Sequence, residues 1–208
     1  MRTLDMFPLG SVLFPFMPQQ LRVFEDRYLL MLSRILRDEP SEYGVVLIER
    51  GQEVGGGEQR FSVGTVARIA QLESSEGFVG LLSHGGSRFL VTEWLEDDPH
   101  PRATVEVLPE LVWAEELRPL RVAAESAVRR ALALASEFSD QSWSATVELS
   151  DHPVESAWQL AAIAPLGSLD QVTLLSSTSM GQLLATLTDL ATDVQDYLRS
   201  PWPGEEDD

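Results

Sequence analysis

The residues of this sequence whose side chains do acid–base chemistry or bind metals are few and widely spaced. Its three histidines are His84, His100 and His152. None of them has a second His or a carboxylate at the spacing that is typical of metal ligands. We therefore expect these histidines to lie in loops or at helix starts, in contact with water. The sequence predicts no metal site and no cofactor.

A nucleophilic site is equally weakly supported by the motifs. Ser150, Asp151 and His152 are the residue types of a hydrolytic triad, but consecutive residues cannot adopt the relay geometry that a triad requires. A helix-capping role explains Asp151 better. No G-x-S-x-G elbow accompanies the segment His84-Gly85-Gly86. We predict no catalytic residue, and a hydrolase that uses scattered Ser, His and carboxylate groups remains the alternative.

The composition removes several enzyme classes and partners. All 15 basic residues are Arg, and the sequence contains neither Lys nor Cys. The protein therefore has no Walker A lysine, no Schiff-base or Ser-Lys site and no thiolate. A net charge of −18 opposes nucleic acid and anionic membranes, and no apolar run approaches the roughly 18 residues of a membrane span. We expect a cytoplasmic protein without nucleic-acid or membrane partners.

Short segments rich in β-branched and aromatic residues, separated by Gly and Pro, fill the first half of the sequence and are typical of strands and turns. The predicted strands cover residues 44–50, 61–71, 78–83, 88–95 and 103–108, with a turn at residues 84–87. One helix is expected from its cap at Asp26 to Arg37. The Gly-rich segment from Gly51 to Gln59 predicts a mobile loop.

Helical spacing of apolar residues begins after about residue 114. The predicted helices cover residues 117–135, a segment starting at Asp151, residues 168–175, and a segment that follows Ser179 and ends at Pro201. Ser179 and Gln182 form a capping-box pattern. The sequence thus predicts a β domain over residues 1–113, a helical bundle over residues 114–200 and an acidic tail over residues 201–208.

The run from Met6 to Tyr28 is dense in Phe, Met and Pro. Its prolines oppose continuous strand pairing, so we expect some of Phe14, Phe16 and Met17 to lie on an open apolar surface. The glycine-rich loop, which contains Val54, is expected to move over that surface. Together these features predict a site for an apolar or extended peptide, with Phe14, Phe16, Met17 and Val54 as candidate contacts.

Five ordered segments resemble one known family. They are Phe7-Pro8-Leu9 with Val12-Leu13-Phe14-Pro15, Val23-Phe24-Glu25-Asp26-Arg27-Tyr28, Tyr43-Gly44-Val45-Val46, Val63-Gly64-Thr65-Val66-Ala67-Arg68-Ile69 and Gly86-Ser87-Arg88-Phe89. Their order and content resemble the Lon protease N-terminal domain, the LON substrate-binding domain. Two positions depart from its pattern: Phe16 replaces a usual Gly, and Gln20-Leu21-Arg22 replaces Pro-Leu-His.

The resemblance implies an α+β fold, in which a PUA-like β pseudo-barrel is followed by an α-helical bundle subdomain. It also implies non-catalytic binding of unfolded or apolar polypeptide segments, as an adaptor for a protease or another protein in proteolysis or quality control. The ATPase and Ser-Lys protease modules of full-length Lon require Lys, so we expect a free-standing LON domain that is not an enzyme, despite the peptidase S16-like label of the family.

The resemblance and the helix rules assign structural roles to four charged or aromatic residues. Negative charge is favoured at the start of the first helix, where Glu25 lies. Arg27 and Tyr28 are expected to tie this helix to the barrel, and Arg88 to anchor a strand through a carboxylate. RNA binding is a further alternative, because PUA-like folds include RNA binders, but the net charge of −18 opposes it.

Overall fold

The computed structural model describes residues 1–37, 39–50, 59–140 and 142–200. The strands are β1 (Arg2–Leu9), β2 (Pro18–Val23), β3 (Glu42–Arg50), β4 (Gln59–Ser75), β5 (Phe78–Trp94) and β6 (Arg102–Val107). The helices are α1 (Asp26–Ile35), α2 (Arg118–Ala135), α3 (Pro153–Ile163), α4 (Ser168–Leu175) and α5 (Met180–Arg199), with a 3-10 turn at Glu115–Leu117. Most of the predicted glycine-rich loop and the predicted acidic tail lie outside the described residues.

Two compact units make up the described part of the protein. One contains residues 1–110 together with residues 171–176, and the other contains the remaining residues from 111 onward. The first unit holds all six strands and α1, and the second holds α2, α3 and α5. The domain boundaries at residues 113 and 200 stay a prediction.

The six strands of the first unit form a closed barrel with one added strand. Their order is β2-β5-β4-β3-β1-β6, and β5 also pairs with β6, so that five strands close into a ring and β2 lies outside it on β5. β1 runs parallel to β3, and the other pairs are antiparallel. Closure gives each of the five ring strands a neighbour on both sides over part of its length. The predicted α+β class, with a β pseudo-barrel ahead of the helices, is confirmed.

The barrel encloses a core of alternating apolar residues. Its buried members are Leu4, Met6, Val46, Val66, Phe89, Val91, Ala103 and Val105. Successive side chains of a strand point to opposite faces, so every second residue of these strands reaches the core. The residues between them point away from this core, and several, such as Tyr43 and Thr65, are buried by neighbouring segments.

The turn predicted at residues 84–87 is wrong, because β5 continues through it. In β5, Gly86 and Ser87 lie opposite the single residue Val66 of β4, which makes a β-bulge. Gly85 is required there for a different reason: a Cβ at this position would lie 2.1 Å from the carbonyl oxygen of Phe14. The glycines therefore permit a close approach of the segment before β2.

Two of the predicted helix caps are corrected by the structure. Glu25, not Asp26, is the N-cap of α1, which ends at Ile35. His152, not Asp151, is the N-cap of α3. The cap predicted at Ser179 is confirmed: its side chain accepts a hydrogen bond from the backbone N–H of Gln182 at 3.1 Å.

Small and branched residues bury one face of α2 within the second unit. The buried residues are Ala124, Ala127, Val128, Ala131, Leu132 and Ala135, whereas Leu120, in the first turn, is 39% exposed. Gln195 of α5 is buried against α2, and its Nε2 donates to the carbonyl oxygen of Ala127 at 3.2 Å. Arg130 donates to the Oε1 of Gln195 at 3.3 Å. A satisfied polar contact of this kind fixes how α5 lies on α2.

Candidate functional site

An open groove runs along the first part of β5 and is walled by β2 and β4. On β5, Leu81 and Ser83 are buried, so Gly80 and Leu82 point to the opposite, more open face. Strand pairing places residues of this open face of the three strands in rows, which are Gln20, Leu82 and Gln71; Arg22, Gly80 and Glu73; and Phe78 with Ser75. These residues line a groove of about 970 Å³.

The floor of this groove is apolar and its centre is open. Leu82 and Phe78 flank Gly80, which has no side chain to fill the middle row. A Cβ at Gly80 would meet its nearest atom, the carbonyl oxygen of Glu73, at 3.5 Å, an ordinary contact. The opening at Gly80 is therefore space that a side chain of a ligand is able to occupy.

The walls of the groove carry polar groups. Within the described ranges, the side chains of Gln20, Gln71 and Glu73 make no hydrogen bond or ion pair. The guanidinium of Arg22 lies over the ring of Phe78, 4.6 Å from its centroid, and this contact stabilises its charge. The walls thus offer hydrogen-bond donors and acceptors to a ligand. They also carry the Glu73 carboxylate, which has no counter-ion among the described residues.

β2 adds backbone groups to one side of the groove. Among the described strands it pairs with β5 alone, so its second edge faces away from the sheet. Such an edge presents amide and carbonyl groups with which an extended peptide can pair. Pro18 and Arg22, residues of the kind that protect edge strands from aggregation, lie on it.

The structure buries two of the predicted peptide contacts and exposes a third. Phe14 and Met17 are buried, at 2% and 8% exposure, so the predicted open apolar surface excludes them. Phe16 is 43% exposed and has a φ of 63°, in the left-handed region that favours glycine. This explains why glycine is usual at this position of the family pattern. Val54 lies outside the described residues.

Tyr28 joins α1 to the barrel, and Arg27 and Glu25 lie beside it at the start of the helix. The Nε of Arg27 lies 3.1 Å from the Oε2 of Glu25, and its guanidinium lies 4.5 Å from the centroid of the Tyr28 ring. Tyr28 is buried and stacks on Phe7 of β1, with ring centroids 4.0 Å apart. These contacts fix the helix that follows β2.

Arg88 is buried at the end of the barrel. Its guanidinium donates to the carbonyl oxygens of Leu175 at 2.7 Å and Pro109 at 3.1 Å. The sequence predicted a carboxylate partner, whereas these two acceptors are backbone groups. Burial lowers the pKa of Arg88, and both contacts lie within the first unit.

The histidine predictions are corrected at two positions. His84 is exposed as expected, but it lies within strand β5 and not in a loop. His100 is fully buried, and its Nε2 lies 2.7 Å from the Oδ1 of Asp5. Burial acts to raise the pKa of Asp5, but the hydrogen bond and the charges of His100, Arg34 and Arg102 outweigh it, so this pKa lies below its usual value. The pair joins β1 to the segment before β6.

We expect this pair to make the stability of the domain depend on acid pH. Because the pKa of Asp5 is lower in the folded protein than in the unfolded one, its ionised form stabilises the fold above about pH 4. That contribution is lost as the pH falls through the folded-state pKa. The free energy of unfolding of wild type minus that of Asp5→Asn should therefore be constant near neutral pH and shrink below about pH 4. A difference that stays constant in urea titrations down to about pH 2.5 would contradict this assignment.

Ser150, Asp151 and His152 do not form a triad. The hydroxyl of Ser150 donates to the Oε2 of Glu155 at 2.7 Å and accepts from the backbone N–H of His152 at 3.1 Å. Both contacts organise the first turn of α3. Elsewhere among the described residues, no three His, Asp or Glu side chains are grouped as they would be around a metal ion.

The groove was not found by sequence reasoning. Gln20, Arg22 and Glu73 are ordinary polar residues of alternating strands, and Gly80 resembles a turn glycine. The available signal was the departure from the family pattern at Gln20-Leu21-Arg22, which all line the groove. The register that brings β2 and β4 together across β5 is a long-range property, which no local pattern contains.

Comparison with known proteins identifies the family of this fold. The family model of the ATP-dependent protease La (LON) substrate-binding domain matches residues 3–193. The chain belongs to this family. The resemblance inferred from the five motif segments is therefore confirmed.

Individual relatives agree with this assignment. A Lon protease of Anaeromyxobacter dehalogenans (strain 2CP-C) is 32% identical over 108 residues, which are 50% of this chain and 13% of that protein. The crystal structure of a Lon N-terminal domain protein from Xanthomonas campestris has a TM-score of 0.64 at 25% identity, covering 91% of this chain and 98% of that one. The N-terminal domain of a Mycobacterium avium complex Lon protease has the same fold, with a TM-score of 0.64 at 15% identity, covering 92% of this chain and 99% of that one.

The motif residues of this LON substrate-binding domain lie mostly in its core. Phe14, Tyr28 and Phe89 are each at most 2% exposed. Gly64 lies so close to Phe89 that a Cβ there would be 2.6 Å from its ring. The motifs that identify the LON family therefore specify its barrel, and the groove lies on the parts of β4 and β5 that neighbour β2.

None of the helices in the described ranges is both long enough and apolar enough to cross a membrane.

Proposed function

We propose that this domain binds extended polypeptide segments in the groove along β5 and that it does so without catalysis. The observation that carries the proposal is the groove itself: an apolar floor with an unfilled centre, between walls whose amide and carboxylate groups make no hydrogen bond or ion pair with another described residue. Its occurrence in a member of a substrate-binding family supports the same function.

The spacing of the groove suits an extended ligand. Its rows are two residues apart along β5, which is about 6.6 Å, and a ligand in β conformation repeats at the same interval. Alternate side chains of the ligand then lie over Leu82, Gly80 and Phe78. The central row has room for the largest of them, because Gly80 contributes only hydrogen.

Polar groups at the walls supply the sequence-independent part of binding. The amides of Gln20 and Gln71 each carry donors and an acceptor, which match the carbonyl and amide groups of a peptide backbone. The free edge of β2 offers a second set of backbone partners. A site with these groups accepts many sequences, as a substrate-recognition module requires.

Phe16 is an exposed aromatic residue beyond one end of the groove. Its backbone N–H donates to the carbonyl oxygen of Gly85 at 2.8 Å, so it lies about 17 Å along β5 from Gly80. A non-glycine residue with positive φ costs on the order of 1 kcal/mol, and strain of this kind is concentrated at functional sites. We propose Phe16 as a further peptide contact.

The proposed role is that of an adaptor that presents clients to a protease or to another protein of the quality-control machinery in the cytoplasm. The family is a binding module. The side chains of Ser150 and Glu155 are engaged with the first turn of α3, which supports a structural role for the triad-like segment. The absence of Cys suits a reducing compartment.

Filling the centre of the groove should abolish binding and keep the fold. We expect Gly80→Val to weaken the binding of a fluorescein-labelled ten-residue peptide of alternating Leu and Ser by about tenfold or more, because the valine occupies the space of the ligand side chain. Fluorescence anisotropy measures the dissociation constant. Ser62→Val, at an exposed position of β4 outside the groove, is the matched control and should bind as wild type does. Equal affinities of Gly80→Val and wild type would exclude the groove as the site.

A further inference from the structure

We infer that the groove prefers cationic apolar segments, with a bulky apolar side chain over Gly80 and an Arg or Lys beside Glu73. This inference rests on the proposed function and names its substrate class. The charges of the groove, the contacts that they already make and the net charge of the whole protein support it.

The two charges of the central row are not equivalent. Arg22 and Glu73 flank Gly80 from opposite walls. The guanidinium of Arg22 lies over the ring of Phe78, whereas Glu73 makes no hydrogen bond or ion pair with any residue that the structure describes. A ligand therefore meets one partly satisfied positive charge and one unsatisfied carboxylate. The second is the stronger determinant of ligand charge.

Glu73 is placed to contact a cationic side chain of the ligand, next to the apolar ligand side chain that fills the opening at Gly80. Glu73 is exposed on β4, in the same row as the opening at Gly80. In an extended ligand, the residue next to the one that fills the opening projects away from the floor. A long Arg or Lys at that place is able to bend to the wall while its aliphatic stem covers Leu82 or Phe78. A cationic apolar segment thus contacts both the apolar floor and the Glu73 carboxylate.

The net charge of the protein acts in the same direction. A net charge of −18 attracts cationic segments and repels anionic ones before contact, with a range set by the Debye length of about 8 Å at physiological salt. Attraction of this kind raises the association rate, while the local contact with Glu73 discriminates after docking. Both effects weaken as salt is added.

Three matched peptides test the inference on the full-length protein. Each has ten residues, the same alternating Leu positions and a fluorescein label, and they differ only in two central polar positions, which are Arg, Ser or Glu. We expect the Arg peptide to bind about fivefold or more tightly than the Ser peptide at 0.15 M NaCl, and the Glu peptide to bind more weakly than either.

Variants separate the local carboxylate from the overall charge. In Glu73→Gln the preference for Arg over Ser should fall below about twofold. Glu93→Gln removes the same charge from an exposed position of β5 outside the groove and should keep the wild-type preference. Equal affinity for the three peptides, or equal preferences in the two variants, would overturn the inference and leave the proposed function standing if the Ser peptide still binds. Failure of every peptide to bind wild type would overturn the proposed function and the inference with it.

Discussion

Replacing Gly64 by Ala is expected to lower the free energy of unfolding by about 3 kcal/mol or more. The new Cβ would lie 2.2 Å from the carbonyl oxygen of Val45 and 2.6 Å from the ring of Phe89. Neither neighbour can move freely, since Val45 belongs to the paired strand β3 and Phe89 is fully buried. The methyl group can be accommodated only if β3 and β4 separate or if the core repacks.

Gly80→Ala is the matched control for this prediction. Gly80 is also a strand glycine, but its Cβ would have only ordinary contacts, at 3.5 Å or more. Alanine is favoured over glycine in a strand by about 0.5–1 kcal/mol. We therefore expect Gly80→Ala to be neutral or slightly stabilising in urea unfolding followed by tryptophan fluorescence. Similar losses of stability in the two variants would show that the packing around Gly64 is looser than its geometry indicates.

Replacing Arg88 by Ala is expected to lower the free energy of unfolding by about 3 kcal/mol, through the loss of two charge-assisted hydrogen bonds. Arg88 is 5% exposed, and its partners are the carbonyl oxygens of Leu175 and Pro109. Its removal leaves these acceptors without their donor in a region that side chains have closed to water. The loss should be visible as a lower midpoint of urea unfolding with an unchanged slope.

Arg68→Ala provides the comparison for Arg88. Arg68 also lies in a long barrel strand and forms an ion pair with Glu42 at 2.9 Å, but its side chain is 67% exposed. An exposed pair contributes less than about 1 kcal/mol. A loss at Arg88→Ala no larger than the loss at Arg68→Ala would mean that the buried guanidinium is not an anchor of the barrel.

The peptide experiments and the stability experiments examine two parts of the same sheet. Gly64 and Arg88 belong to the motif segments, and both are buried. Gly80 and Glu73 belong to the open groove, where substitution should alter ligand binding and spare the fold. A variant set divided in this way separates loss of binding from loss of structure.

Local patterns were sufficient for much of the secondary structure. Alternation located the strands, and three-and-four spacing located α2 and α5, because both periods are properties of neighbouring residues. The prediction was wrong where one local pattern is compatible with two different structures. The segment His84-Gly85-Gly86-Ser87 was interpreted as a turn, but its glycines serve a bulge and the close approach of Phe14.

The partners of individual side chains were harder to predict from the sequence than the strands and helices were. His100 was expected in water and lies buried on Asp5, whose position is 95 residues away. For Arg88 the sequence suggested a carboxylate, and the structure shows two backbone carbonyl oxygens among its acceptors, which no local pattern indicated. In each case the residue type correctly indicated a polar contact, while the partner was determined by distant segments that only folding brings together.

The sequence by itself determined the family and the α+β class, since motif segments such as Val63–Ile69 encode the close packing of a particular barrel. It also indicated an unusual Phe16, which proved to have a positive φ. Only the tertiary structure decided where the candidate site lies. The register of β2 and β4 on β5 places Gln20, Gly80 and Glu73 on one face. Periodicity shows only that each strand has two faces, because the register depends on pairing between distant segments.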